Sequence, residues 1–514
     1  MRCKKIVMLL ICSTLLILGC TNPALEHLEL GDIYSEQEQW DEAIMEYSLA
    51  IELDPEEAMA YNNRGWAYCG TEEWDLALAD FDKAIELDPQ LELAYCNRGW
   101  AYCGKEQWAM AIADLNRAIE LEPKLAEAYS NRGFAYCGKG LWDLAIADLN
   151  KAIELAPEDA VAYNNRGWAY CGMEEWDLAI ADLNRTIELD PEDAMAYNNR
   201  GWAYCGMEEW DLAIVDFDKA IELDPEEAMA YSNRGLAYGG KEQWDLAMAY
   251  FDKAIELDPE FAEAYCNKGW AYNSIEEWDM AIADLHRAIE LDPEFAEAYC
   301  DRGGAYNSLE EWDMAIVDLH RAIELDPEFA EAYCNRGYAY CGKGLWELAI
   351  ADVDRAITLD PEEAMAYNNR GWAYCGMEEW GLAIADLDRA IELDPELSMA
   401  YSNRGLAYSG KKQWNLAMAD FNKAIELDPK EAMPYSNRGW VYYEKEEWGQ
   451  AMAEFNKAIE LNPEFDGAYF GRATVYCVKR QDDLAIDDLN KVIEISSNPD
   501  LIQLAKEIIE ELGG

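Results

Sequence analysis

Asparagine and tryptophan recur together in this chain, three residues apart: Asn63 with Trp66, Asn97 with Trp100, Asn165 with Trp168, Asn199 with Trp202, Asn267 with Trp270, Asn369 with Trp372 and Asn437 with Trp440. Asn131, Asn233, Asn335 and Asn403 fill the same first position in other copies, with Asp301 the exception; Phe134, Leu236, Gly304, Tyr338 and Leu406 fill the second. An amide side chain offers both a donor and an acceptor, which suits the main chain of an extended peptide. A flat ring beside it supplies apolar contact. That chemistry is recognition rather than bond-making. The competing account is that the asparagines bond local backbone or one another while the rings pack between helices.

Residues for catalysis or metal binding are scarce. Histidine is limited to His27, His286 and His320, the last two being copies of one position, and no glycine-rich phosphate loop or nucleophile elbow is present. Of fifteen cysteines, three lie at or before Cys20; eight share the position of Cys69 and four that of Cys96. Cys96 and Cys103 are seven apart, about 10 Å along a helix axis, beyond the roughly 7 Å reach of a disulfide. With no C-x-x-C or mixed Cys/His spacing for zinc, the expectation is free thiols, no metal, no cofactor, no catalytic residue and no enzyme. So many free thiols weigh against an oxidising compartment.

The element that positions these residues has a fixed period. Pro55 is followed by a proline every 34 residues as far as Pro463, and "AYNNRGWAYCGMEEWDLAI" occurs at 162–180 and again at 196–214. Such a period marks a stacked-repeat architecture. Fourteen units occupy 24–499, leaving 500–514 as a capping helix. Within a unit, Asp54-Pro55-Glu56-Glu57 resembles a helix start with an aspartate cap and proline at the first turn. A first helix then runs through "AMAYNNRGWAYCG", Gly70 and "TEE" interrupt it, and "WDLALADFDKAIEL" supplies a second with apolar residues at spacings of three and four.

The unit resembles the tetratricopeptide repeat, on Tyr61, Gly65, Tyr68, Ala77, Phe81, Ala84 and Pro89; the alanine of position 77 is present in all fourteen units. Departures fall at the ends, with His27 and Leu30 in the first unit and Ala473 and Asp482 in the last. The resemblance implies an all-α fold, a right-handed α-solenoid superhelix of 34-residue helical hairpins whose first helices line a concave groove. Gly65 and Ala77 are small so that two helices approach closely, with Tyr68 and Phe81 beside the contact. The thirteen tryptophans from Trp40 to Trp448 that open the second helices read as packing. At 100° per residue the Asn63 and Trp66 stripe lies opposite Tyr61, Gly65 and Tyr68, and so faces the groove. It is similar to the asparagine ladder by which some long members of the family hold extended peptides, and its replacement should weaken binding while leaving stability nearly unchanged. The lysines of a carboxylate clamp are missing.

An arginine precedes the glycine in nearly every unit, and Asp80, Asp114, Asp148, Asp182 and Asp216 recur on the second helix. A structural ion pair across the hairpin is the expectation; a basic stripe for an acidic ligand is the alternative. The net charge of −63 repels phosphate backbones and anionic lipid, so nucleic acid is not expected as a partner. At the N-terminus "MRCKK", the 13-residue apolar run Ile6–Leu18 and Gly19-Cys20 read as a signal peptide, 1–19, with 20–23 as the linker. Ile17-Leu18-Gly19-Cys20 resembles a bacterial lipobox, which implies lipidation at Cys20; an uncleaved anchor or ordinary secretion are the alternatives. The function expected is a non-catalytic scaffold of the bacterial envelope, lipid-anchored, binding protein segments in its groove. The alternative is a spacer whose acidic outer surface binds basic proteins or cations.

Overall fold

The computed structural model describes residues 22–513, so Cys20 and the signal segment lie outside the described residues. Among the described residues there are 29 helices and no strand. The helices pair in sequence into antiparallel hairpins, from Pro23–Ser35 with Trp40–Leu53 to Asp466–Val478 with Asp482–Ile495, and Pro499–Leu512 follows alone. The chain divides into two compact units, Met1–Pro259 and Glu260–Gly514. Each contains seven hairpins, and the second also contains the final helix.

Second helices begin and end where periodicity places them: Trp74–Leu87 is one turn of caps away from ideal amphipathicity, with Ala77, Phe81 and Ala84 on its buried side. The first helix starts later than Asp54-Pro55 suggests. It runs Ala58–Gly70, and Glu57 is its N-cap, accepting from the amide of Met59. The Asp54 carboxylate instead accepts from the amide of Glu56 at 3.2 Å, closing a turn in which Pro55 supplies the fixed φ. Cap and turn use the same residue types, and here the turn holds them.

The turn inside each hairpin is a Schellman closure. In the second hairpin the amide of Glu73 bonds to the carbonyl of Tyr68 at 2.9 Å and that of Glu72 to Cys69 at 3.1 Å, with Glu72 at φ 59°. This left-handed residue is Glu in most hairpins, Lys412 and Arg480 in two, and glycine in two, Gly140 and Gly344.

Packing explains the small residues. A Cβ on Gly65 would stand 2.7 Å from the Phe81 ring, so the first helix lies directly on that ring. Between hairpins the tryptophan that opens a second helix packs on the glycine that ends the next first helix; a Cβ on Gly172 would meet Trp142 at 2.6 Å. These tryptophans are therefore packing residues, as their register suggests. Within each unit successive first helices touch one another and successive second helices make no comparable contact, which puts the first helices on the inner, concave side. Among the described residues no helix is long and apolar enough to cross a membrane.

Candidate groove on the first helices

The arginines are internal clamps. Arg166 donates from Nε and Nη2 to the two carboxylate oxygens of Asp182 at 2.6 and 2.7 Å, and from Nη1 to Asn150 on the preceding hairpin at 2.5 Å. One guanidinium thus joins three helices with the planar fork geometry that lysine cannot supply. Tyr163 lies 5.6 Å from its charge centre, adding a cation–π contact. The pattern repeats at Arg98, Arg132 and Arg200 in the first unit and at Arg370 and Arg404 in the second. It fails in one informative place: Tyr250 stands where the aspartate belongs, and Arg234 lies 4.4 Å from its ring while Tyr238 stacks on it at 5.3 Å. In the first hairpin, where Leu30 replaces the arginine, Glu46 at the aspartate position pairs with His27 at 2.6 Å. The ion-pair expectation holds, and the arginines do not form a basic stripe.

The asparagines sit at the seam between adjacent first helices. Asn97 donates to Asn62 Oδ1 at 3.1 Å, Asn199 to Asn164 at 3.1 Å, Asn233 to Asn198 at 3.1 Å and Asn403 to Asn368 at 3.0 Å. Where the acceptor residue is cysteine the same amide reaches sulfur: Asn131 to Cys96 and Asn335 to Cys300, both 3.6 Å, and Asn369 to Cys334 at 3.4 Å. Asn63 donates to Asp32 at 2.8 Å. Asn97, Asn131, Asn165 and Asn369 are buried; Asn63, Asn199, Asn233, Asn267, Asn335, Asn403 and Asn437 are half-buried. The first duty of the ladder is to join hairpins, which is the account that competes with peptide binding.

The ring stripe is better exposed. Trp66, Trp100, Trp168, Trp270, Trp372 and Trp440 are half-buried and Trp202 is 41% exposed. Neighbouring rings form a ladder of their own: Trp100 to Phe134 is 5.5 Å, Phe134 to Trp168 is 5.7 Å and, in the second unit, Tyr338 to Trp372 is 5.4 Å. Each unit thus presents a strip of tilted rings along its inner side, with the asparagine seam beside it.

All twelve cysteines of the hairpins are free thiols. Burial pushes Cys69 and Cys137 up to about 12, so they are protonated, inert packing groups. Among the described residues no grouping of His, Cys, Asp and Glu could hold a metal ion.

Two features escaped the sequence-based account. The outer side of the second helices carries an apolar residue at about half exposure in nearly every hairpin, including Leu144, Leu178 and Leu212 in the first unit and Met314, Leu348 and Leu382 in the second. Its signal was the third residue of each second helix. The other is a row of glutamates, Glu263, Glu297 and Glu331, one turn before the asparagine position on three successive first helices. Its signal was the same register in units that elsewhere hold Met59, Met195 and Met229.

A solenoid of paired helices with an inner strip of rings defines a helical-repeat class of protein. The chain belongs to the tetratricopeptide repeat family: models described as TPR repeat match residues 31–71, 99–140, 303–344 and 439–477, and models described as tetratricopeptide repeat match 58–91, 124–192, 194–227, 228–261, 262–295, 330–363, 364–397 and 398–431. Among solved structures it is similar to the Cut9–Hcn1 hetero-tetramer of the APC/C, at 16% identity over 89% of this chain and 96% of that one, with a TM-score of 0.57. It is also similar to YrrB, a TPR protein with an unusual peptide-binding site, at 30% identity over 36% of this chain and 95% of that one (TM-score 0.28). A tetratricopeptide repeat protein from Parabacteroides merdae matches at 18% identity over 49% of this chain and 99% of that one (TM-score 0.40). None of the curated proteins matches this chain.

Proposed function

We propose that this chain is a non-catalytic scaffold that holds extended protein segments along the inner side of its first helices. The observation that carries the proposal is the ring strip: the Trp202 indole is 41% exposed on the concave side, and the Trp168 indole, though one side packs on the hairpin core, is only half-buried. Half-buried asparagines such as Asn199 and Asn233 lie beside that strip, and an amide that bonds its neighbour through one N–H has a second to offer a main chain. The decisive experiment is photo-crosslinking from benzoyl-phenylalanine placed at Trp202, in the intact chain, with envelope extract. Cross-linked polypeptides should persist in moderate salt and disappear when Trp168 and Phe134 are changed to Ala. Cross-links that salt abolishes and the substitutions leave alone would favour the competing proposal, a spacer whose acidic outer surface holds basic proteins or cations, which draws on the −63 charge.

The setting belongs to the same proposal: a bacterial envelope, with the chain anchored by lipid on Cys20. Its support is the short apolar run ending in Gly19-Cys20. Cys20→Ser should move the protein from the detergent phase to the soluble fraction, and unchanged membrane retention would count against it.

A further inference from the structure

The ring strip of the second unit is broken at one hairpin, Ala296–Ser308 with Trp312–Leu325. There the strip position is Gly304, and a Cβ built on it would meet nothing within 4 Å. In other hairpins the indole that opens the preceding second helix meets the strip ring: Trp108 with Phe134 at 6.1 Å, Trp142 with Trp168 at 6.4 Å, Trp312 with Tyr338 at 5.9 Å. Trp278 holds the corresponding register ahead of residue 304, where the ring is missing. The strip is therefore open at Gly304, and its next rings on either side are Trp270 and Tyr338.

The same hairpin replaces the ladder asparagine with Asp301, one turn before the gap. An ionised aspartate cannot donate, and the bond to the previous helix is reversed, with the Cys266 thiol donating to Asp301 Oδ2 at 3.8 Å. Glu297 lies a further turn back, and Glu263 and Glu331 hold the matching place on the flanking first helices. None of these four carboxylates is ion-paired among the described residues; the cations of these hairpins are engaged elsewhere, Arg302 with Asp318 and Arg336 with Asp352. Burial, then Glu331 and Glu297, pushes the Asp301 carboxyl up to about 7, and burial raises Glu263 and Glu331 as well. Two acceptors nearby also lack partners. Asn273 donates to the main-chain oxygen of Asp301 at 3.0 Å and Asn307 to that of Asn335 at 2.9 Å, and each keeps an Oδ1 buried with no hydrogen bond; Asn307 is only 6% exposed.

A gap in the ring strip, carboxylates without counter-ions and acceptors without donors all suit one group: planar, cationic and rich in N–H. A guanidinium stacks flat on rings and forks onto carboxylates, whereas an ammonium meets either as a compact, strongly hydrated point charge. We propose that the second unit carries a site for an arginine side chain of a bound protein segment, seated over Gly304 beside Asp301. The site rests on the groove proposal and specifies what part of its ligand chooses this stretch.

The test uses the full chain and two fluorescein-labelled Gly/Ser peptides that differ only in a central arginine or its neutral isostere citrulline, read by anisotropy. The arginine peptide should bind about tenfold tighter, equivalent to about 1.4 kcal/mol. Asp301→Asn and Gly304→Trp each install the residue that other hairpins carry, so both should fold, which thermal unfolding verifies; each should bring the ratio to about one. Glu294→Gln, an exposed acid in the preceding turn, should leave the ratio unchanged. A ratio that survives both groove variants, or peptides that bind equally or not at all, would overturn the site. Equal binding that Trp372→Ala abolishes would overturn the arginine site alone and leave the groove standing. Binding of either peptide that is indifferent to Trp372→Ala would count against the groove itself.

Discussion

In the first unit the inner strip runs Trp66, Trp100, Phe134, Trp168, Trp202, Leu236, beside Met59, Leu93, Glu127, Val161, Met195 and Met229. In the second it runs Trp270, Gly304, Tyr338, Trp372, Leu406, Trp440, beside Glu263, Glu297, Glu331, Met365, Met399 and Met433. The frames beneath are the same: Gly201 lies on Phe217 as Gly303 lies on Leu319, and Arg200 clamps Asp216 as Arg302 clamps Asp318. Positions that every hairpin needs in order to fold are therefore uninformative about ligands, however often they repeat. What distinguishes one stretch of groove from another is held in the few positions that folding leaves free, where the second unit exchanges apolar side chains for carboxylates and a ring for a vacancy.

If the frame is common, breaking it should do equal harm in both units. Asp182→Ala in the first and Asp318→Ala in the second each leave a largely buried guanidinium without its carboxylate, at 18% and 13% side-chain exposure. Each should destabilise its own neighbourhood by about 3 kcal/mol, and because hairpins contact only their neighbours the loss should be local. Amide hydrogen exchange resolved by hairpin would show it. A loss confined to one unit would mean that the frames are not equivalent.

The ladder comes next in size. Asn199→Ala removes the bond to Asn164, and Asn403→Ala removes that to Asn368, so each should cost about 1 kcal/mol in urea unfolding. The expectation that these asparagines could be replaced with little effect on stability must be revised. Loss of binding by such variants is consequently a poor test of the groove, and the rings are the better target. A negligible change in stability would show that water replaces the amide bond and would return the asparagines to the ligand.

How much of this was legible beforehand follows from where each residue sits. Trp74–Leu87 could be delimited from spacing because its buried face, Ala77, Phe81 and Ala84 with Asp80 held by Arg64, is apolar but for one paired charge and admits a single register. Asp54-Pro55 misled because a carboxylate two residues ahead of an amide serves a turn as well as a cap. The asparagines were assigned to the groove from their register, but a position at the seam between two helices belongs equally to the groove and to the neighbour. Only the neighbour's distance, supplied by stacking, decides which partner the amide takes. Asp301 and Gly304 were visible as exceptions in the register, yet their meaning required the residues that other helices bring to them, such as Asn273 on the Asp301 carbonyl.

The acidic stretch also separates the units by pH. The Asp301 and Glu431 carboxyls are both pushed up to about 7 by burial, the latter with help from Asp428 and with one oxygen buried and unpartnered. A folded-state value above the ordinary carboxylate range means that the folded chain holds protons which the unfolded chain has released. Stability of the second unit should therefore fall as pH rises from about 4 to about 7. Asp301→Asn with Glu431→Gln should flatten that slope. Exchange in hairpins of the first unit should change less over the same window; an equal slope there, or one untouched by the two substitutions, would assign it to the general charge of the chain.

The smallest effect concerns the hairpin turns, and it tests whether the frame has slack that neither groove needs. Glu174 holds φ 59°, closing its turn through its amide to Cys171 at 3.0 Å and through that of Glu175 to Tyr170 at 3.0 Å. A side chain in that left-handed region carries about 1–2 kcal/mol of strain, and glycine relieves it while losing about 0.5–1 kcal/mol through the greater freedom of its unfolded chain. Glu174→Gly should thus stabilise its hairpin by roughly 0.5 kcal/mol, read as slower exchange across 160–189. The array already contains the experiment's endpoint in Gly140 and Gly344, one in each unit, so Gly140→Glu should lose what Glu174→Gly gains. Glu174→Gln separates backbone from charge: it keeps the strain and removes one of many acids. If it stabilises as much as glycine does, the turn carries no relievable strain, and electrostatic relief in a chain of charge −63 is the physical cause.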